Sequence, residues 1–148
     1  MIRAFIDKDI ASCVQLMADL GYPTDEQSLQ TRWRHLLQQA DYHVLVVEEN
    51  HQVLGFVGFH KMYFFETDGA YCRILALVVS SEHCRKGLAT KLLDAVSDFA
   101  RAEGCRALAV NSGLTDQRSG AHQFYEQYGF SKQTVGFAYR LTEGDKNG

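Results

Sequence analysis

Ile74-Leu75-Ala76-Leu77-Val78-Val79-Ser80-Ser81-Glu82-His83-Cys84-Arg85-Lys86-Gly87-Leu88-Ala89-Thr90 is the stretch on which the fold turns. From Ile74 to Val79 every residue is apolar, which puts apolar side chains on both faces of a strand. A strand buried on both faces belongs in the middle of a sheet. After Gly87 the period becomes helical: Leu88, Leu92, Val96, Phe99 and Ala100 fall on one face, and Gly104 stands where a left-handed cap ends the helix. A strand, a short turn and a helix that opens on small residues make an anion cradle. The unpaired amides of the first helical turn point outward, and the helix dipole favours negative charge there. Gly87 and Ala89 keep side chains clear of the backbone, and Arg85 and Lys86 add positive charge beside it. An ordinary helix start with small residues has the same composition. The spacing is neither that of a Walker loop nor that of a dinucleotide fingerprint.

Upstream of this stretch, Ile2 to Ile6 reads as a strand, and Asp7 can cap a helix striped by Ile10, Val14, Leu16, Met17 and Leu20. Gly21-Tyr22-Pro23 stops that helix. Thr24 and Gln27 have the spacing of a capping box for a second helix running to about Gln39. Tyr42 to Glu49 and Val53 to Phe65 read as two arms of a hairpin turning at Asn50-His51, and Asp68-Gly69 turns the chain into a strand over Tyr71 to Val79. Downstream, Arg106 to Asn111 reads as a strand. A short helix follows with Ala121, Phe124, Tyr125 and Tyr128 on one side, closed by Gly129, and Phe130 to Leu141 reads as one or two final strands. The order β, α, α, β, β, β, α, β, α, β predicts a mixed α/β or α+β fold in one domain over residues 1–148.

With 148 residues, 46% apolar and a single proline, the chain has the size and composition of one folded globule. Its net charge of −3 comes without a cluster of Lys and Arg, which argues against nucleic acid as a partner. No apolar run is long enough to span a membrane, and Met1 to Ile6 has no secretory signature. Cys13, Cys72, Cys84 and Cys105 are widely scattered without zinc-site spacing, so the expectation is free thiols in a reducing cytoplasm and no metal.

The strand-turn-helix segment resembles the pyrophosphate-binding motif of the GNAT superfamily of acyl-CoA-dependent N-acyltransferases, Arg/Gln-x-x-Gly-x-Gly/Ala. Gly87 and Ala89 match its small positions, while Cys84 stands where the family usually has Arg or Gln. Leu77-Val78-Val79 is similar to the family's fourth strand and Leu92-Leu93 to its following helix. A second match is Ala121-His122-Gln123-Phe124-Tyr125-Glu126-Gln127-Tyr128-Gly129-Phe130, which resembles the helix beside the cofactor's pantetheine arm. The tail half, including Arg118, Ala121 and His122, resembles a branch with aminoalkylphosphonate and other small-molecule acetyltransferases.

The resemblance implies a GNAT-like fold: a mixed, mostly antiparallel sheet with a splayed parallel strand pair and flanking helices. It implies acetyl-CoA as co-substrate, held by Leu77, Val78, Val79, Cys84, Arg85, Lys86, Gly87, Leu88, Ala89, Thr90, Asn111, His122, Phe124 and Tyr125. Tyr125 would protonate the departing thiolate; alone, it also reads as a core aromatic. A backbone N–H near Leu77 or Val79 would polarise the thioester carbonyl. The implied reaction is direct transfer in a ternary complex to a primary amine of a small molecule. The family's usual Glu on the fourth strand has no counterpart here, where Arg73, Leu75 and Ala76 stand. Candidate bases are Glu66, Asp68, His60, His83 or a water held by Asn111. Tyr63, Glu66, Asp68 and Arg73 are the candidate substrate contacts, and Arg73 suits either a substrate carboxylate or phosphonate, or a neighbouring acid. A route through Cys84 or Cys72 lacks the His-plus-orienter arrangement. Two other readings stay open: acetylation of a protein N-terminus or lysine, and a non-catalytic acetyl-CoA sensor. Relatives are often dimers, which leaves a homodimer open here.

Overall fold

A computed structural model describes residues 1–83, 87–111, 121–133 and 136–142. The chain forms two compact units, Met1–Val110 and Asn111–Gly148.

In the first unit, β1 (Ile2–Ala4), α1 (Ile10–Leu20), α2 (Glu26–Leu37), β2 (Tyr42–Glu49), β3 (Gln52–Tyr63), β4 (Ala70–Val79), α3 (Leu88–Ala102) and β5 (Leu108–Val110) follow in order. The five strands make one sheet in sequence order. β1 to β4 pair antiparallel, and β4 pairs parallel with β5. This is the mixed, mostly antiparallel sheet with one parallel pair that the family resemblance implies. The β2–β3 turn is tight because Asn50 and His51 both take left-handed φ, 53° and 63°, the geometry whose twist suits a two-residue hairpin.

The two faces carry different helices. Ile10, Cys13, Leu16, Met17, Leu29 and Trp33 from α1 and α2 bury Val44, Val46, Phe56 and Val78 on one face. The alternate strand residues face α3: the Phe59 ring lies 5.2 Å from Phe99, and Cys72 Sγ is 3.9 Å from Cys105 Sγ just beyond α3. Leu88, Leu92, Leu93 and Val96 of α3 are fully buried. At the N-terminus, Arg3 grips Asp9 through two hydrogen bonds of 2.8 and 2.9 Å and Glu48 through a third of 2.8 Å. Asp9 also accepts the Ile6 N–H at 2.9 Å, which satisfies a carboxylate that is only 4% exposed.

Several boundaries differ from expectation. A short 3₁₀ turn over Asp7–Asp9 precedes α1, and α2 is capped by Asp25, not Thr24, because the Asp25 carboxylate takes the Ser28 N–H at 2.7 Å. β5 is shorter than Arg106 to Asn111. In the second unit α4 (Ala121–Tyr128) forms as expected. The described residues of Phe130 to Leu141 contain no strand. Phe137, Tyr139 and Leu141 do alternate, but they are 96%, 90% and 89% exposed, and alternation alone makes no strand without a partner and a surface to bury.

Candidate functional site

β4 is a central strand, but its two halves are paired differently. β5 is in register only with Cys72, Arg73 and Ile74. β3 follows β4 along its whole length, with a one-residue shift where Gly58 faces Ala76 and Phe59 faces Ile74. Leu75 is the extra residue of that bulge, and it is 51% exposed. The expectation that Ile74 to Val79 is buried on both faces is corrected at this position, because a bulge turns one side chain out of the pleat.

Beyond the bulge, the Ser80 N–H donates to the Leu54 carbonyl at 2.7 Å. Antiparallel pairing alternates, so the amides of Val78 and Ala76 also face β3, whereas those of Leu77 and Val79 face the opposite edge. That is the edge β5 covers only as far as Ile74. Gly55 lies across from Val79, where a Cβ would meet the Val78 carbonyl oxygen at 2.8 Å. Only glycine lets β3 approach β4 so closely there.

The turn after β4 leads into α3. Gly87 is the N-cap residue at φ 71° and ψ 15°, a left-handed conformation that glycine adopts without strain. No side chain caps the helix and no acid stands in its first turn. The first bond inside the helix runs from the Lys91 N–H to the Gly87 carbonyl at 3.1 Å, which leaves the amides of Leu88, Ala89 and Thr90 without an intrahelical acceptor. A Cβ on Gly87 would meet nothing within 4 Å among the described residues. The glycine is therefore required by its φ and not by crowding from any described residue. Leu88 is 1% exposed with its side chain in the core, so only its amide can serve a ligand. Ala89 is half-buried and Thr90 exposed. Uncapped amides with no acid in the first helical turn fit a diphosphate. Cys84, Arg85 and Lys86 lie outside the described residues, as does Arg118.

Residues 10–130 match the Acetyltransferase (GNAT) family. The chain belongs to that family. An uncharacterized N-acetyltransferase of Bacillus subtilis (strain 168) is 28% identical to it over 134 residues, which span 86% of this chain and 88% of the relative. The crystal structure of a GNAT family acetyltransferase from Staphylococcus aureus subsp. aureus USA300_TCH1516 superposes with a TM-score of 0.81 at 31% identity, covering 95% of this chain and 98% of that one. A transcriptional regulator from Bacillus halodurans C-125 reaches a TM-score of 0.86 at 19% identity, over 95% of this chain and 99% of its own, and shares the fold.

In this GNAT acetyltransferase the remaining candidate residues fall into separate places. Tyr125, His122 and Phe124 sit half-buried on α4 in the second unit. The Tyr125 ring lies 5.5 Å from Phe124 and 5.6 Å from Phe130, and its carbonyl accepts the N–H groups of Gly129 and Phe130 at 3.2 and 2.9 Å. Asn111, where the second unit begins, is exposed. Tyr63 at the end of β3 is 67% exposed, with Lys61 Nζ 5.4 Å from its ring centre. Glu66 and Asp68 are exposed on the β3–β4 connection, where the Asp68 carbonyl accepts from Arg106 Nη1 at 2.8 Å. Among the described residues no hydrogen bond or ion pair joins Tyr63, Glu66, Asp68 and Arg73. What the sheet brings together is Arg73 with His60, opposite each other in register, and His60 with Tyr42, ring to ring at 4.2 Å. That grouping, like the Leu75 bulge, is visible only once the register is known. His83, in the turn after β4, has a buried Nδ1 without a hydrogen-bond partner among the described residues.

Cys72 is fully buried on the α3 side, and burial together with the neighbouring Cys105 thiol pushes its pKa up. A thiol held protonated is a poor nucleophile, which counts against covalent transfer through it. The described residues hold no group of three metal-ligating side chains and no helix long and apolar enough to cross a membrane. A groove of about 290 Å³ lies between α2 and the segment after β1, lined by Phe5, Ile6, Asp7, Gln30, Arg34, Leu37 and Gln38. None of the candidate residues lines it.

Proposed function

We propose that this chain moves the acetyl group of acetyl-CoA to a primary amine of a small molecule, directly and in a ternary complex, with residues 1–148 working as one acyltransferase domain. The family match supports the single-domain reading by running across the boundary between the two units. The observation that carries the reaction is the start of α3: uncapped, acid-free and led by a left-handed glycine, directly after the half-covered edge of β4.

In this reading the amides of Leu88, Ala89 and Thr90, with Gly87 leaving the approach clear, hold the diphosphate, and Arg85 and Lys86 add charge. Cys84 replaces a side-chain donor the family usually has, so anchoring falls to the backbone. The amides of Leu77 and Val79, facing the edge of β4, hold the thioester in place, and one donates to the carbonyl oxygen as it gains charge. The neutral amine nitrogen bonds to the carbonyl carbon, the carbon–sulfur bond breaks, and the amide product forms. Tyr125 donates its phenolic proton to the leaving thiolate, a transfer that for an ordinary phenol (pKa about 10) and thiol (about 8.5) is slightly uphill. The tyrosinate is reprotonated by the proton the nitrogen sheds, carried through water, which draws the step forward. His122, Phe124 and Asn111 complete the proposed cofactor contacts. The branch resemblance at Arg118, Ala121 and His122 supports a small acceptor.

The test pairs calorimetry of acetyl-CoA binding with thiol release over a panel of amines. Tyr125→Phe is expected to lower kcat by about 10²-fold, the usual worth of a positioned acid, with acetyl-CoA affinity nearly unchanged. Equal loss of both would make Tyr125 structural. Binding without thiol release from any amine would leave a sensor, and no binding heat would end the reading altogether.

A further inference from the structure

We propose that Arg73 reads an anionic group on the acceptor, so that the amine acetylated by this protein also carries a carboxylate or phosphonate. This rests on the acetyl-transfer reading above and narrows its substrate class.

The two faces of the sheet decide where an acceptor can approach. On the α3 face, Cys72, Ile74 and Leu77 are buried, and α3 fills the space with Leu88, Leu92, Leu93 and Val96. Within the first unit, this leaves the other face for an acceptor approaching the edge of β4. There the α1–α2 core covers Val44, Val46, Phe56 and Val78, with Ala76 partly buried against it. Further back along β4, beyond the turned-out Leu75, the same face presents Arg73 and Tyr71, with His60 and Met62 beside them on β3 and Tyr42 on β2. All of these are half-buried. The surface is aromatic and aliphatic around one guanidinium.

Among the described residues that guanidinium has no ion pair and no hydrogen bond; the Tyr71 ring lies 5.8 Å from its central carbon. A ring face orients an arginine but takes none of its five N–H donors. The other half-buried arginine of the sheet, Arg3, is filled by two carboxylates at 2.8 to 2.9 Å. Arg106, on the β5 side, has the Asp68 carbonyl. Glu66 and Asp68, the acids nearest in sequence, make no ion pair with Arg73. Among the described residues Arg73 therefore keeps a planar fork without a partner, and a carboxylate or phosphonate matches that fork with two parallel hydrogen bonds. It stands two residues before the bulge, about 7 Å along the strand, and its guanidinium leans the other way, over Tyr71. An acceptor whose anion sits on Arg73 must therefore span at least that distance to place its nitrogen at the start of the edge that β5 leaves unpaired.

The experiment measures thiol release by the full chain with acetyl-CoA and matched acceptors: an ω-amino acid long enough to span that distance against its amide, and an aminoalkylphosphonate of the same length against its neutral diester. The anionic member of the preferred pair is expected to exceed the neutral one in kcat/KM by about 10-fold or more, the worth of a charge-assisted hydrogen bond. Which pair shows the larger ratio separates carboxylate from phosphonate. Arg73→Gln should raise KM for the anionic amine by about as much, collapse the ratio towards one and leave KM for acetyl-CoA unmoved. Arg73→Lys, which keeps the charge without the fork, should retain part of the ratio. Equal turnover of acid and neutral partner by the unmodified protein overturns the inference. So does an Arg73→Gln variant that loses both partners equally, or a protein that binds acetyl-CoA and accepts no anionic amine in either pair. A protein with no heat of acetyl-CoA binding fails at the earlier step, the function itself.

Discussion

Helix α2 starts on Asp25, whose carboxylate takes the Ser28 N–H, and adds Glu26 in its first turn; α3 starts on Gly87, with neither a capping side chain nor an acid. Both are amphipathic helices packed on the same sheet, yet only one supplies the negative charge its N-terminal dipole attracts. Asp9, the carboxylate buried most completely among the described residues, is committed elsewhere, to Arg3 and the Ile6 N–H. The difference teaches that an uncapped helix start can be told from a merely weak one by what stands around it. At the start of α3 there is a left-handed glycine that no described residue crowds, and beyond Ile74 the edge of β4 is no longer paired by β5.

The contrast can be broken at three points. The largest effect is expected at Asp9, whose loss leaves Arg3, 21% exposed, with Glu48 as its one carboxylate among the described residues: Asp9→Asn should cost about 3 kcal/mol in urea unfolding, the upper end for removing one partner of a buried charged hydrogen bond. Its pH dependence has a definite sign. The hydrogen bond from Arg3, helped by the Ile6 N–H and opposed by burial, lowers the Asp9 pKa in the folded state. The unfolded chain then binds more protons over the window between the depressed value and the ordinary one of about 3.9. The contribution is complete above that ordinary value and fades as pH falls through the folded one, so the acid-induced drop in midpoint should be smaller in Asp9→Asn than in the unmodified protein. Next in size, Gly87→Asp gives α3 the anion that α2 already has, and adds strain at φ 71°. It should weaken acetyl-CoA about 100-fold by calorimetry, whereas Gly87→Asn, which tolerates the left-handed region without the charge, should weaken it far less. A similar loss in both would assign the effect to strain. The smallest effect is at Asp25, where Asp25→Ala should cost about 1 kcal/mol of stability and leave acetyl-CoA affinity alone.

How much of this was legible in the sequence depended on whether a feature is local. The α3 start could be read because its requirement is met by residues within one turn of each other, Gly87, Leu88 and Ala89. The Asn50-His51 turn and the Gly104 cap at φ 74° were legible for the same reason. The Leu75 bulge left no trace, since a leucine turned outward is spelled like one turned inward. Asp25 rather than Thr24 as cap was a choice between adjacent acceptors that only the backbone settles. The Phe130 to Leu141 pattern misled because alternation records a preference and not a partner. On the acceptor side, Tyr42, His60 and Arg73 come from three strands, and only the register makes them neighbours.

The missing side chain at Gly55 has a consequence for the neighbouring strand. Because Val78's oxygen already occupies the position a methyl group would take, any larger residue must displace the last residues of β4 away from β3. Those residues carry the two amides turned towards the edge that β5 leaves unpaired, so the position of these donors is set from behind, by the hairpin arm on the far side of the strand.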